Sequence, residues 1–328
     1  LYGVQFHPEV AHTAHGLEMI EAFARQVCGV EDRWTAAAFV EESVAAIREQ
    51  VGDRRVLCAV SGGADSTAML ILAVTAGCDV SAVHVNHGLR TSADDDAACA
   101  ASSAERLGVP LRVERIEIED GPNLEARARS ARRAAIGGDH MTGHTADDQA
   151  ETLLLALLRG AGATGLAAIR PGPLHPILAL RAAETRAICA SEGFAVAVDH
   201  SNHDPRFRRN RLRHEAVPLL ADIADRDVTP LLARTAGLLR DDDDLLTALA
   251  DAIDPADAGA VAAAPLPLAR RAIRRWLDLE GYPPDLAGVD RVLDVARGVA
   301  TACQVTGVGR VERRSGRLTL VAPEAPAR

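Results

Sequence analysis

"VLCAVSGGADSTAMLILAV", residues 56–74, sets two apolar runs on either side of a turn built from Ser, Gly, Gly, Ala, Asp and Ser. The first run is short and apolar on successive residues, the pattern of a strand buried on both faces. The second begins after the glycines and reads as a helix. A strand that enters a helix through Gly-Gly leaves converging backbone N–H groups bare, and the helix start adds partial positive charge, so the turn is built to hold an anion. Ser61 and Ser66 add hydroxyl donors beside Gly62 and Gly63. The turn is shorter than the G-x-x-x-x-G-K-S/T loop and has no Lys, so it does not read as a γ-phosphate-transferring loop. Asp65 would repel phosphate unless a cation lay between them, which makes it a candidate Mg²⁺ ligand. An ordinary strand-to-helix turn with an acidic cap is the competing account.

Outward from this turn the order is regular. A helix over 35–52 precedes it, with Thr35 as N-cap and Gly52 as its stop. A strand over 79–85, a helix over 93–108, a strand over 110–118 and a helix over 123–135 follow it. Strand-like "DHMTGH" (139–144) and a helix over 146–160 complete the alternation. Strands separated by helices at this spacing predict an α/β fold, a parallel sheet with helices on both faces. After residue 170 the pattern changes to a Pro-rich connection, a helix over 181–193, and a mostly helical remainder ending in a hairpin that turns at Ser315–Gly316. The Ala- and Pro-rich stretch 251–267 reads as a boundary. The expected domains are 1–34, 35–217 and 218–328.

Composition narrows the function classes. The 328 residues carry a net charge of −10, and all 36 basic side chains are Arg, because Lys is absent. The whole molecule therefore does not attract nucleic acid, and any such binding falls to local Arg clusters. Aromatic residues make up only 3%, so base stacking is not the main device, although Arg planes can serve. The six cysteines form no CxxC pair, which excludes a disulfide framework and the common zinc and iron–sulfur patterns. No apolar run reaches the roughly 18 residues of a membrane span. The composition predicts a cytoplasmic protein that uses no membrane.

Three further motifs carry chemistry. "GHTADDQAET" (143–152) places His144 at a strand end and Asp147, Asp148 and Glu151 on the next helix, three and four residues apart and so neighbours. First-turn acids also suit the helix dipole without any catalytic role. "NLEARARSARR" (123–133) sets Arg129, Arg132 and Arg133 at helical spacing, where a solvated face is the plainer account. "DPRFRRNRLRH" (204–214) holds Arg at 206, 208, 209, 211 and 213. In so acidic a chain that density asks for an anionic partner, with each Arg able to hold a phosphate. "RRAIRR" (270–275) and "RVERRSGR" (310–317) add two basic patches.

Taken together, "SGGADS", "HVNHGLR" (84–90), "GHTADDQAETLLLALLRGAGATGL" (143–166) and "DHSNHDPRFRRNRLRHEAVPLL" (199–220) resemble the tRNA(Ile)-lysidine synthases. These are one branch of the N-type ATP pyrophosphatases, with an adenine nucleotide alpha-hydrolase-like fold. The resemblance implies an ATP-dependent carbon–nitrogen ligase using ATP and Mg²⁺. ATP adenylates the C2 oxygen of the wobble cytidine in an isoleucine tRNA with a CAU anticodon, and free L-lysine then displaces AMP. It implies that Ser61, Gly62, Gly63, Asp65, Ser66, His84, Gly143 and His144 line the nucleotide site and that Asp65 and Asp148 hold the metal. Arg129 and Arg132, with Glu125, match an E-x-x-x-R-x-x-R-Y pattern whose arginines neutralise the reacting phosphoryl group, and Arg133 stands where that pattern has Tyr. Asp199, Ser201, Asn202, Arg209, Asn210 and Arg213 match D-x-S-N…R-N-x-x-R, with Arg206, Arg209, Asn210 and Arg213 implied to meet the tRNA. Asp147 or Glu151 is a candidate for the lysine amine, and a homodimer is the assembly suggested. One departure is plain: only nine residues separate Arg133 from Gly143, where that family has a longer helix and a full strand.

The opening "YGVQFHPEVAHTAHG" resembles the end of the amidotransferase domain of GMP synthase, in which His7 and Glu9 would serve a Cys-His-Glu triad. No Cys here has the small-residue setting such a nucleophile needs. Two other readings therefore stand beside the first: the XMP-aminating part of GMP synthase, and a tRNA-binding relative without catalysis.

Overall fold

The computed structural model of the chain describes residues 3–8, 10, 13–29, 36–52, 54–86, 93–116, 124–197, 204–278 and 284–321, without the side chains of 36–39, 93, 124–126, 128 and 129. Two compact units emerge, one of residues 1–148 and 170–205 and one of residues 149–169 and 206–328. Divisions at 34/35 and 217/218 follow chain order, whereas the spatial units are each built from two segments, and the stretch 251–267 lies inside the second.

In the first unit, helix α1 (Gly16–Ala22) runs into a π-helical turn, Phe23–Val27, and α2 (Ala36–Val51) stops at Gly52, which has φ +59°. Strands β1 (Arg55–Ala59), β2 (Asp79–Asn86) and β3 (Leu111–Arg115) form a parallel sheet in that order, with Arg55 opposite Asp79 and Ala82 opposite Leu111. Ala82, Val83 and His84 are buried in succession, so both faces of β2 are covered. Helices α3 (Ala64–Thr75) and α4 (Ala93–Arg106) make the crossovers β1 to β2 and β2 to β3. Right-handed crossovers in one direction place them on one face, and α5 (Leu124–Ile136), which leads back past β1 and packs against β2, takes the other. The core gathers Ile47, Met69, Leu70, Leu72 and Ile188, the last from α8 (Ala182–Ser191).

The strand expected over 139–144 is a single parallel bridge, Met141 to Cys58. Ala59 N–H donates to Met141 O at 2.9 Å and Met141 N–H to Leu57 O at 2.7 Å. Gly137 and Gly138, at φ +70° and +58°, end α5 and turn the chain, leaving little length before Met141 for a ladder. Helix α6 (Ala146–Leu158) follows, and the boundary between the units falls after Asp148, inside it.

The second unit contains α7 (Ala163–Leu166), α9 (Arg208–Arg211), a π-helical turn Leu212–Ala216, α10 (Val217–Ile223) and α11 (Thr229–Asp251). One apolar cluster joins Leu153 and Leu154 to Leu212 and Ala236. Another joins α12 (Ala258–Ala263), α13 (Leu266–Leu277) and α14 (Leu286–Ala296) to the antiparallel sheet β4 (Ala302–Val305), β5 (Gly309–Arg314) and β6 (Arg317–Val321). The expected hairpin is β5–β6. It turns through Ser315 and Gly316 at φ +48° and +79°, the left-handed pair that matches strand twist. Among the described residues no helix is long and apolar enough to cross a membrane.

Candidate functional site

The turn after β1 has the geometry of an anion cradle. Gly62 sits at φ +87°, and a Cβ there would lie 2.5 Å from the carbonyl oxygen of Asp96, so position 62 excludes every side chain on two grounds. Its own carbonyl accepts from Ala197 N–H at 2.9 Å. The buried Ser66 hydroxyl donates to Gly63 O and accepts from Ser61 N–H, both at 3.1 Å, with Ser61 Oγ 3.0 Å away. Gly63 is the N-cap of α3 and brings no side-chain cap to the positive helix start. His84 is only 4% exposed, and its Nδ1 lies 2.8 Å from Val60 O. It braces the last residue before the turn.

Gly143 brings the second motif to this turn. A Cβ on it would stand 2.7 Å from Asp65 C, 2.8 Å from Asp65 O and 2.8 Å from Ser66 N, so the backbone of "GHT" rests directly on the start of α3. Asp65 accepts from the fully buried Thr185 hydroxyl. Burial, with the Asp65 charge beside it, pushes the Cys189 thiol up to about 11. Asp148 Oδ2 accepts from Thr145 N–H at 2.9 Å and Thr145 Oγ at 3.1 Å, so its carboxylate folds back onto the residue before α6. Asp147 is held differently. Arg181 grips it through two bonds of 3.1 and 3.0 Å, and it accepts Ala182 N–H at 2.8 Å, capping α8. His144 Nδ1 lies 2.6 Å from Thr142 Oγ.

Asp65 and Asp148 are first-turn carboxylates on two helix starts that the Gly143 backbone contact brings together. Mg²⁺ takes one or two carboxylates and completes its octahedron with phosphate oxygens and water. Among the described residues no three His, Cys, Asp or Glu side chains cluster as a self-sufficient metal site, so an ion here would depend on the nucleotide's own oxygens. That donor set fits Mg²⁺ with ATP. A cavity of about 470 Å³ also opens in this unit, lined by Arg54, Arg55, His140 and Arg170 among others. It lies at the amino end of β1, away from the cradle.

In the second unit Glu151, 2% exposed at its side chain, accepts Nε–H from both Arg209 and Arg213 at 2.6 Å. Arg211 pairs with Glu215 on the surface, and Arg206 and Arg208 are exposed. The arginine run thus divides into a clamp on a buried acid and an exposed set. Arg132 is exposed near the end of α5, while the side chain of Arg129 lies outside the described residues, as do Arg90, Asp199, Ser201, Asn202 and Glu9. Thr185, Asp96 and Arg181 are site neighbours that no motif announces. Their partners are 120, 34 and 34 residues away in the chain, which leaves no local signal.

A PP-loop domain family model matches residues 36–220, so the chain is a PP-loop protein. It is 42% identical over 289 residues to a tRNA(Ile)-lysidine synthase of Nocardia farcinica, covering 81% of this chain and 91% of the relative. It is 37% identical over 324 residues to one of Mycolicibacterium paratuberculosis, covering 92% and 94%. Among solved structures, the U34-tRNA thiolase NcsA from Methanococcus maripaludis is similar over 62% of this chain and 80% of its own, with a TM-score of 0.47 and 16% identity. The chain belongs to the tRNA(Ile)-lysidine synthase family.

Proposed function

We propose that this protein ligates free L-lysine to the wobble cytidine of an isoleucine tRNA with a CAU anticodon, using ATP and releasing AMP and pyrophosphate. The observation that carries this reading is the contact of Gly143 with the Asp65–Ser66 peptide, which joins the anion cradle to the acidic start of α6. Ser61, Gly62, Gly63 and Ser66 hold the pyrophosphate moiety of ATP through backbone N–H and hydroxyl donors. Asp65 and Asp148 would hold Mg²⁺, which would supply charge neutralisation for the pyrophosphate. His144 binds at the same edge, and His84 supports the cradle from beneath. Arg129 and Arg132 counter charge at the reacting phosphoryl group. Arg206, Arg209, Asn210 and Arg213 serve the tRNA, with Arg209 and Arg213 oriented by Glu151. Asp147 and Glu151 are both engaged by arginines, so neither is assigned to the lysine amine.

Despite the short segment after Arg133, Met141 still bridges Cys58 and Gly143 still rests on the Asp65–Ser66 peptide. That supports a working site over a binding-only relative. We take residues 35–217 as the catalytic part and 218–328 as the tRNA-recognition part of a cytoplasmic homodimer. Residues 1–34 are a tail resembling an amidotransferase end. The test is pyrophosphate release from ATP with that tRNA and lysine, run against xanthylate plus ammonia. Release that requires tRNA and falls at least 100-fold in Asp65→Asn and Asp148→Asn supports the reading; release that requires xanthylate overturns it. Light scattering checks the dimer.

A further inference from the structure

Thr142 lies between two imidazoles. Its Oγ is 2.6 Å from His144 Nδ1 and 2.7 Å from His175 Nδ1, and the rings meet edge to face with centroids 5.0 Å apart at 80°. Leu174 O is a poor third partner at 3.4 Å from the same hydroxyl, although it fixes the backbone by accepting Thr142 N–H at 2.9 Å. A hydroxyl has one proton. With two short contacts to ring nitrogens, it donates to one Nδ1 and accepts from the other, so the two histidines are locked as opposite tautomers. Burial, then the neighbouring His140, shift His175 downward and so favour its neutral form. His144 follows Gly143, whose backbone rests on the cradle. An anion there calls for an N–H donor on the ring nitrogen remote from Thr142.

We propose that His175, acting through Thr142, is a positioning residue that holds His144 as its Nε2–H tautomer, a hydrogen-bond donor for the phosphate chain in the cradle. The chain runs from His175 Nδ1–H to Thr142 Oγ, and from Thr142 O–H to His144 Nδ1. It rests on the reading of the cradle as a nucleotide site for the ligand and for which histidine carries Nε2–H; the opposition of the two tautomers stands on the three side chains alone.

Two readouts on the full-length protein test it. In ¹⁵N-histidine NMR without nucleotide, His144 carries its proton on Nε2 in the wild type and exchanges between tautomers in Thr142→Val. His175→Asn places an amide N–H where Nδ1 was and preserves the tautomer. His175→Gln reaches the Nε2 position instead and loses it. A wild-type His144 protonated on Nδ1, or one unchanged in Thr142→Val, overturns the proposal. KM for ATP rises about tenfold in Thr142→Val and His175→Gln, the loss of one charge-assisted bond, and stays within about twofold in His175→Asn. Equal damage in the Asn and Gln variants overturns it as well, since packing alone would treat them alike. If the wild type binds no ATP while the tautomers behave as stated, the nucleotide reading fails and the lock survives.

Discussion

Replacing Glu151 by Gln removes the buried anion that Arg209 and Arg213 share. The carboxylate is 2% exposed and accepts Nε–H from Arg209 and Arg213 at 2.6 Å each, while those arginines are 30% and 38% exposed. Removing one partner of a fully buried ion pair costs about 3–5 kcal/mol, because the other charge is stranded. Water reaches about a third of each guanidinium here, so the expected loss is about 2–3 kcal/mol. Gln also turns an N–H group toward one cation. Trp276 packs against the core of the second unit and reports its unfolding in a Trp34→Phe background. With a urea m-value of about 1–3 kcal/mol per M, the midpoint falls by roughly 1 M. Removing the cations along with the anion, in the triple variant Glu151→Gln, Arg209→Gln, Arg213→Gln, recovers part of that loss. A midpoint shift in Glu151→Gln below about 0.3 M, or a triple variant less stable than the single, refutes the clamp.

Gly62→Ala forces Cβ against Asp96 O at a φ that costs an L side chain about 1–2 kcal/mol, so ATP affinity by calorimetry falls at least about tenfold while the fold persists. Burial raises the Cys58 thiol from 9.0 to about 12, and burial with Asp65 raises Cys189 from 9.0 to about 11. Between pH 9 and 11 the unfolded chain has lost these protons and the folded chain keeps them, so stability falls as pH rises through that window and is fully present below it. Iodoacetamide at pH 8 accordingly leaves both thiols unmodified in the folded protein, as peptide mass mapping shows. Gly316→Ala in the β5–β6 turn lowers the unfolding midpoint by the roughly 1–2 kcal/mol of a left-handed non-glycine residue.

The strand–cradle–helix unit was legible because its signals are local. An apolar strand, two glycines and an apolar helix sit within 56–74, and the structure places β1 and α3 there. The β5–β6 hairpin was legible for the same reason, from Ser-Gly between two short runs. Residues 139–144 also looked like strand, but Gly137 and Gly138 use up the length a ladder needs, and only Met141 pairs. Strand β4 was missed because "ACQV" offers neither length nor alternation. The Ala-rich stretch that read as a boundary contains Ala258 and Val261, both 0% exposed: small side chains allow close helix packing, which composition alone cannot distinguish from a linker. The arginine run reads in sequence only as a set of side chains each able to hold a phosphate. Its Arg209 and Arg213 meet a Glu 58 and 62 residues earlier, a pairing that helical spacing does not encode.

Three helix starts in the first unit are tied in a circuit. Gly143, just ahead of α6, lies on the start of α3; Asp147 caps α8; and Thr185 of α8 returns a bond to Asp65 of α3. Each link joins protein to protein, so the circuit closes without a ligand. The acidic edge is therefore preorganised: the conformational entropy of aligning its helices is lost on folding, and an incoming nucleotide does not have to draw the edge from a minor population.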